Sequence, residues 1–348
     1  MAIFNKKRRI KRARKKARSK ALRDDGSHLR DLYRICLANI TPVIAPIALI
    51  SQIQRSGGSL LSQLFDGHPE IYAHPDELKI GYPKKYVWPR IDPADSPEQW
   101  FEILFEDGVI NHYKKGYKKG HKSDTMYPFV FLPPLQKKIF MAYIASVESV
   151  TLREVFNAYM TSYFGAWLNH QNNYGTKKFI TGFTPRLSVQ KENMQNFFEI
   201  YPDGRLISIV RDPRNWFPSA HRHGSKKYRD VKVALKQWNE SALAMIRNNE
   251  TYKGRATIIR FEDLISKTEP VMRYLAEFLH IEFDDILLKP TFNKLPMAAN
   301  TSFNAEETGI VNRTLFRYKT LAQEQIDIID EITGAVYQQI LNAAVAIE

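Results

Sequence analysis

The chain has 348 residues, 44% hydrophobic and 25% charged. That suits one large domain or two small ones and excludes a fibrous or wholly disordered polypeptide. Its net charge of +14 is local: eleven Lys or Arg and no acid lie between Lys6 and Lys20, so the remainder carries only +3. The single cysteine, Cys36, excludes an internal disulfide and a cysteine-based metal cluster.

Residues 1–30 read as a basic, disordered tail. A run of like charge repels itself and stays solvated unless an anionic partner neutralises it. Anionic membrane lipid and nucleic acid are the partners of that chemistry, and a nuclear address is a further reading. Asp31 to Asn39 reads as a short helix. The longest mostly apolar stretch, Ile35 to Ile50, has 16 residues and contains Pro42 and Pro46. It is short for a membrane span. A linker feeding the first core strand is the main reading and a signal anchor the alternative. With no secretory signal in view, the expected location is cytoplasmic.

The main domain is expected over 40–348. After Pro46, Ile47-Ala48-Leu49-Ile50 reads as a buried parallel strand. Phe179–Phe183, Leu206–Val210 and Thr257–Phe261 repeat that pattern, and helical periodicity marks Val231–Asn249, Pro270–His280 and Leu321–Leu341. Strands alternating with helices predict an α/β fold: a P-loop-like, three-layer arrangement with a central, mostly parallel sheet flanked by helices. Residues 79–136 differ, being rich in Pro, Gly, Tyr and Lys with weak periodicity. They read as a loop-rich insert, whose run Asn111-His112-Tyr113-Lys114-Lys115-Gly116-Tyr117 interleaves aromatics with lysines. Such a run suits a solvated loop, a nucleic acid or a glycan.

Two strand ends carry anion-binding chemistry. The first strand runs into Gln54-Arg55-Ser56-Gly57-Gly58-Ser59-Leu60. Its glycines permit positive φ and close approach of a ligand to the backbone. Leu60, Leu61, Leu64 and Phe65 fall on one helical face, so a helix starts near Gly58 with its free N–H groups facing the loop. Ser56 and Ser59 add hydroxyls, and Arg55 adds a forked cation. There is no Gly-Lys, so this is not a Walker A loop. The second junction is Arg211-Asp212-Pro213-Arg214 after Leu206–Val210. Asp212 reads as a helix cap and Pro213 as the first helical residue. Arg211 thus sits at the carboxyl end of a strand, where α/β sheets hold ligands, with Ser219 eight positions later.

These two sites, in this order, resemble the PAPS-dependent sulfotransferases, whose donor is 3′-phosphoadenosine 5′-phosphosulfate. Thr181-Gly182-Phe183-Thr184-Pro185 is similar to that family's Gly-x-Lys-Thr-Pro segment, and Arg260-Phe261-Glu262-Asp263-Leu264 to its Tyr-Glu-Asp-Leu segment. Asn300-Thr301-Ser302-Phe303 with Gly309 resembles a late loop over the nucleotide. Asp66-Gly67-His68-Pro69-Glu70-Ile71 through Glu77 is most similar to tyrosylprotein and carbohydrate sulfotransferases. Gln54, Phe183 and Pro218 depart from the pattern.

The resemblance implies sulfuryl transfer from PAPS to a hydroxyl acceptor (carbohydrate, tyrosine peptide or small molecule), with release of PAP and no metal. Arg55, Ser56, Gly57, Gly58, Ser59 and Leu60 would hold the 5′ end. Arg211 and Ser219 would hold the 3′-phosphate, and Ser302 would close over the donor. Arg55 and Glu77 would be catalytic, Glu77 as the base, with Asp76 and His74 as alternatives. The Lys-rich insert suits an acidic or glycan acceptor. Two other classes remain: another P-loop-like transferase such as an ATP-dependent kinase, and a non-catalytic binder of anionic surfaces or nucleic acid.

Overall fold

A computed structural model describes residues 26–78, 87–106, 108–117, 126–223, 228–297, 310 and 312–348. Most of the basic tail and the Ser302 loop therefore lie outside the described residues. In chain order the elements are α1 (Ser27–Ala38), β1 (Ile47–Ile50), α2 (Gly58–Leu64), β2 (Ile71–Glu77), α3 (Pro97–Leu104), α4 (Gly108–Lys115), α5 (Pro133–Ser146), α6 (Leu152–Ala166) and β3 (Phe179–Phe183). Then follow α7 (Lys191–Ile200), β4 (Arg205–Val210), α8 (Pro213–Arg222), α9 (Val231–Thr251), β5 (Ala256–Arg260), α10 (Phe261–Ser266) and α11 (Thr268–Phe278). A short hairpin, β6 (Thr291–Phe292) and β7 (Leu295–Pro296), a 3-10 segment (Asn312–Thr320) and α12 (Gln323–Ala343) complete the chain.

Five strands form one parallel sheet in the order β2-β3-β1-β4-β5. β1 reads as an unbroken apolar run because both its faces are covered. Ile47 and Leu49 join the core shared with α5, α6 and α7, whereas Ala48 and Ile50 join the core under α2, α10 and α11. A third apolar cluster packs α8, α9 and α12 beside β4 and β5. The result is a helix–sheet–helix sandwich, as the alternating pattern predicts. The chain first moves to one side of β1, through β2 and β3, and then crosses to β4 on the other side. The connections after β1 and β4 thus leave the sheet in opposite directions, which opens a crevice at their carboxyl ends.

Several expectations need correction. The described part of 79–136 is not loop alone: it holds α3, α4 and the start of α5. Ser96-Pro97-Glu98-Gln99 is a capping box, with Gln99 N donating to Ser96 Oγ and Ser96 N to Gln99 Oε1. The first helix begins at Ser27 rather than Asp31, so the tail reading does not extend to residue 30. Residues 35–50 are divided between the end of α1, an irregular segment with Pro42 and Pro46, and β1. Among the described residues no helix is long and apolar enough to cross a membrane. β2 has no counterpart among the expected strands. Its Pro75 is tolerated because β2 is an edge strand whose register slips between Ala73 and Glu77.

Candidate functional site

The loop between β1 and α2 is held from several sides. Gln52 accepts a backbone bond from Arg186 at 2.9 Å. The Gln54 carbonyl accepts from Trp216 Nε1 at 2.8 Å, and Tyr228 donates its hydroxyl to Gln54 Oε1 at 2.6 Å. Gly57 has φ 103°, and a Cβ there would lie 2.5 Å from the Phe261 ring. A Cβ on Gly58 would overlap Gln52 Nε2 and the Phe183 ring. Both glycines are therefore demanded by packing between two aromatic rings at the ends of β3 and β5. Arg55 adopts φ 71°, a left-handed conformation that a non-glycine residue holds only when its surroundings impose it. The Ser56 hydroxyl is buried and unpaired. Ser59 and Leu60 lie in the first turn of α2, Leu60 against the core.

Arg55 reaches across the crevice: its Nε donates to Ser219 Oγ at 3.3 Å. Ser219 is fully buried in α8. That helix starts at Pro213 with Asp212 accepting from Arg214 N, and it continues through Pro218 to Arg222. The proline thus neither delays the helix nor ends it early. Arg211 is 3% exposed. Its guanidinium donates to the Arg55 carbonyl at 3.0 Å and the Thr314 carbonyl at 2.7 Å, and it lies 4.3 Å over the Phe261 ring. Its Nε is buried without a partner. Burial pulls the Arg211 pKa down to about 10, with the Arg55 charge adding to the effect and Glu262 opposing it. Burial likewise lowers Arg55.

Sequence reasoning missed Arg317. It lies in the 3-10 segment, which docks on α8 through a bond from Tyr318 N to Asn215 Oδ1 at 3.1 Å. Only 7% exposed, Arg317 has its pKa lowered to about 9 by burial and then by the charges of Arg211, Arg55 and Arg222. Its sequence context offers no motif, because the signal is convergence in space. Buried cations gathered this way favour an anion among them.

Sequence-predicted residues at the β2 end fall into two groups. Glu77 is half-buried and in register with Phe183, while Leu78 N donates to the Phe183 carbonyl at 2.8 Å. Phe183 in turn packs on Gly58, so this strand end adjoins the first loop. Asp76 Oδ2 lies 2.7 Å from His112 Nε2, and both side chains are partly exposed. His112 comes from α4 of the insert and was not singled out as a site residue.

His74 points the other way. It is fully buried, with Nδ1 3.1 Å from the Asp76 carbonyl and Nε2 3.1 Å from Glu106 Oε1. That second contact has ion-pair distance but not hydrogen-bond geometry, since both atoms lack a bond partner; the distance is what sets their electrostatic coupling. Burial lowers the His74 pKa, but the Glu106 carboxylate, together with the carbonyl and charge of Asp76, outweighs it and the net shift is upward. Tyr159 and Tyr163 border Glu106, and burial drives their hydroxyl pKa values well up. Among the described residues, no group of three or more His, Cys, Asp or Glu is arranged for a metal.

A profile of the Sulfotransferase family matches residues 46–285. No curated protein matches the chain. Solved structures similar to it include the sulfotransferase domain from the Curacin biosynthetic pathway, 16% identical, with a TM-score of 0.47 over 84% of this chain and 98% of that one. The sulfotransferase domain of the Synechococcus PCC 7002 olefin synthase is 18% identical, with a TM-score of 0.46 over 85% and 98%. Retinol dehydratase in complex with androsterone and the inactive cofactor PAP is 13% identical, with a TM-score of 0.40 over 91% and 87%.

Proposed function

The chain belongs to the sulfotransferase family, and we propose that it moves a sulfuryl group from PAPS to a hydroxyl acceptor and releases PAP. The observation that carries the donor assignment is the joining of two cationic sites. Arg55 in the first loop bonds Ser219, and Arg211 bonds the Arg55 carbonyl. A donor with anionic groups at both its 5′ and 3′ ends requires two such sites side by side. The unpaired, buried Ser56 hydroxyl and Arg211 Nε are donors suited to those anions. Arg317 is a third cation of the same site.

In this reading Arg55 and the loop amides stabilise charge on the sulfuryl oxygens and on the leaving 5′-phosphate. Arg211, Ser219 and Arg317 hold the 3′-phosphate and so fix the donor for in-line attack. Ser302 remains part of the proposed donor site. Glu77 takes the acceptor proton as the new O–S bond forms and the S–O bond to the phosphate breaks. A second reading of the base rests on one observation. The Asp76 carboxylate lies 2.7 Å from His112 Nε2 and so orients the ring. A base oriented by a carboxylate is the arrangement of many proton-transfer sites. Lys114 and Lys115, in the last turn of the same helix, favour an acceptor that carries negative charge.

Thermal shift tests the donor assignment. PAP should raise the melting temperature far more than ATP with magnesium, and transfer of labelled sulfate from PAPS to pooled carbohydrate, peptide and phenolic acceptors should follow. An equal or reversed shift would favour a kinase-like transferase.

A further inference from the structure

Gln52 lies two residues upstream of the first loop and belongs to no motif of the site. It is fully buried, and neither Nε2 nor Oε1 has a hydrogen-bond partner. A primary amide sealed from water with nothing bonded to it is costly and rare in a folded protein. Its backbone is not adrift, since Arg186 N holds the Gln52 carbonyl. The side chain is also directed. The volume that a side chain at position 58 would occupy is filled by Gln52 Nε2 and by the Phe183 ring, whose Cδ2 lies 2.7 Å from that point. Gly58 itself opens α2 and brings no side-chain donor to the loop. The orphan Ser56 hydroxyl belongs to the same loop.

We infer that the Gln52 carboxamide is a donor-binding group that supplies, beside Gly58, a hydrogen-bond donor to the anionic 5′ end of the bound nucleotide. The glycine is then a window as well as a turn: lacking a Cβ, it lets the amide stand where a side chain would block it. Phe183 walls the amide on one side, which keeps its N–H for a group entering the loop. This inference rests on the donor reading above and assigns one more residue to it.

The test uses the full chain and two probes, PAP and adenosine 3′-phosphate, which lacks the 5′ anion. Gln52→Met keeps the shape and removes the amide. Its free form should melt at the wild-type temperature or higher, because an unpaired buried amide has been replaced by an apolar isostere. PAP affinity by calorimetry should fall at least about tenfold, the scale of one hydrogen bond to a charged group, while adenosine 3′-phosphate affinity stays unchanged. Gln52→Glu, which sets a carboxylate against the anion, should weaken PAP further and serves if the Met variant fails to fold. PAP affinity within twofold of wild type in the folded variants, or an equal loss for both probes, overturns the inference. Wild-type protein that binds neither probe overturns the donor reading instead.

Discussion

The centre and the edge of the sheet follow opposite electrostatic plans. At the ends of β1 and β4, Arg55, Arg211 and Arg317 are gathered so that burial and neighbouring cations depress Arg211 and Arg317 together. At the edge strand β2, histidines stand against carboxylates: His74 against Glu106 and His112 against Asp76. In the first arrangement the cations repel one another, and Glu262 and Asp212 offset burial and that repulsion only in part at Arg211. The second is balanced without a ligand. Binding of the proposed donor should therefore stabilise the protein strongly, whereas the β2 end should arrive preformed.

The largest effect expected is on the balanced end. Below pH 6.5, where the raised pKa keeps His74 protonated, Glu106→Gln removes its buried counter-charge and should cost about 3–5 kcal/mol in chemical denaturation, the scale for breaking a buried pair. A cost under about 1 kcal/mol, the scale of an ordinary neutral hydrogen bond, would mean that the pair is not ionic and the contrast is overstated. Next comes the donor end. Arg55→Ala and Arg211→Ala should each reduce sulfate transfer at least roughly a hundredfold, as for loss of an oxyanion-type donor, and weaken PAP. Arg317→Met should also weaken PAP, because it removes a buried charge close enough to Arg211 and Arg55 for their charges to depress it. PAP affinity unchanged in that variant would break the contrast from the donor side.

Glu77→Gln should slow transfer by about a hundredfold, typical of a lost general base, with PAP binding unchanged. If the variant stays active while His112→Gln does not, the base is His112 with Asp76 behind it. A smaller effect concerns pH. The folded-state pKa of His74 is raised, so its protonation stabilises the fold. That contribution is complete below the unfolded value near 6.5 and is lost as pH rises through the higher folded value. Melting temperature should fall across that window in wild type and stay flatter in His74→Asn. The smallest effect is at the tail: deleting residues 1–25 should leave transfer within about twofold, while any binding to anionic vesicles weakens and loses its salt dependence.

This contrast was only half legible in the sequence. The donor end is local chemistry: strand, glycine turn and helix follow one another, so Arg55 to Leu60, and Arg211 with Ser219, can be read from spacing. Arg317 could not be read so, because its approach to Arg211 and Arg55 comes from docking of a 3-10 segment onto α8. The balanced end was obscured for a different reason. His74-Pro75-Asp76 interrupts the apolar pattern that announces a strand, and β2 survives as an edge with a register slip. Glu106 and His112 come from an insert whose Lys and Tyr content hides two helices. Ser96-Pro97-Glu98-Gln99 was the available signal for the first of them. Gln52 was silent because a buried amide looks like any other strand-end residue until its missing partners are seen.

The most direct measurement is calorimetric titration of the wild-type chain with PAP, adenosine 5′-phosphate and adenosine 3′-phosphate under one salt concentration. Paired cationic sites predict that PAP binds at least roughly a hundredfold tighter than either monophosphate, since each site adds charge-assisted bonds of its own. PAP binding no tighter than adenosine 5′-phosphate would mean that Arg211, Ser219 and Arg317 hold no 3′-phosphate, and would contradict the assignment of the donor.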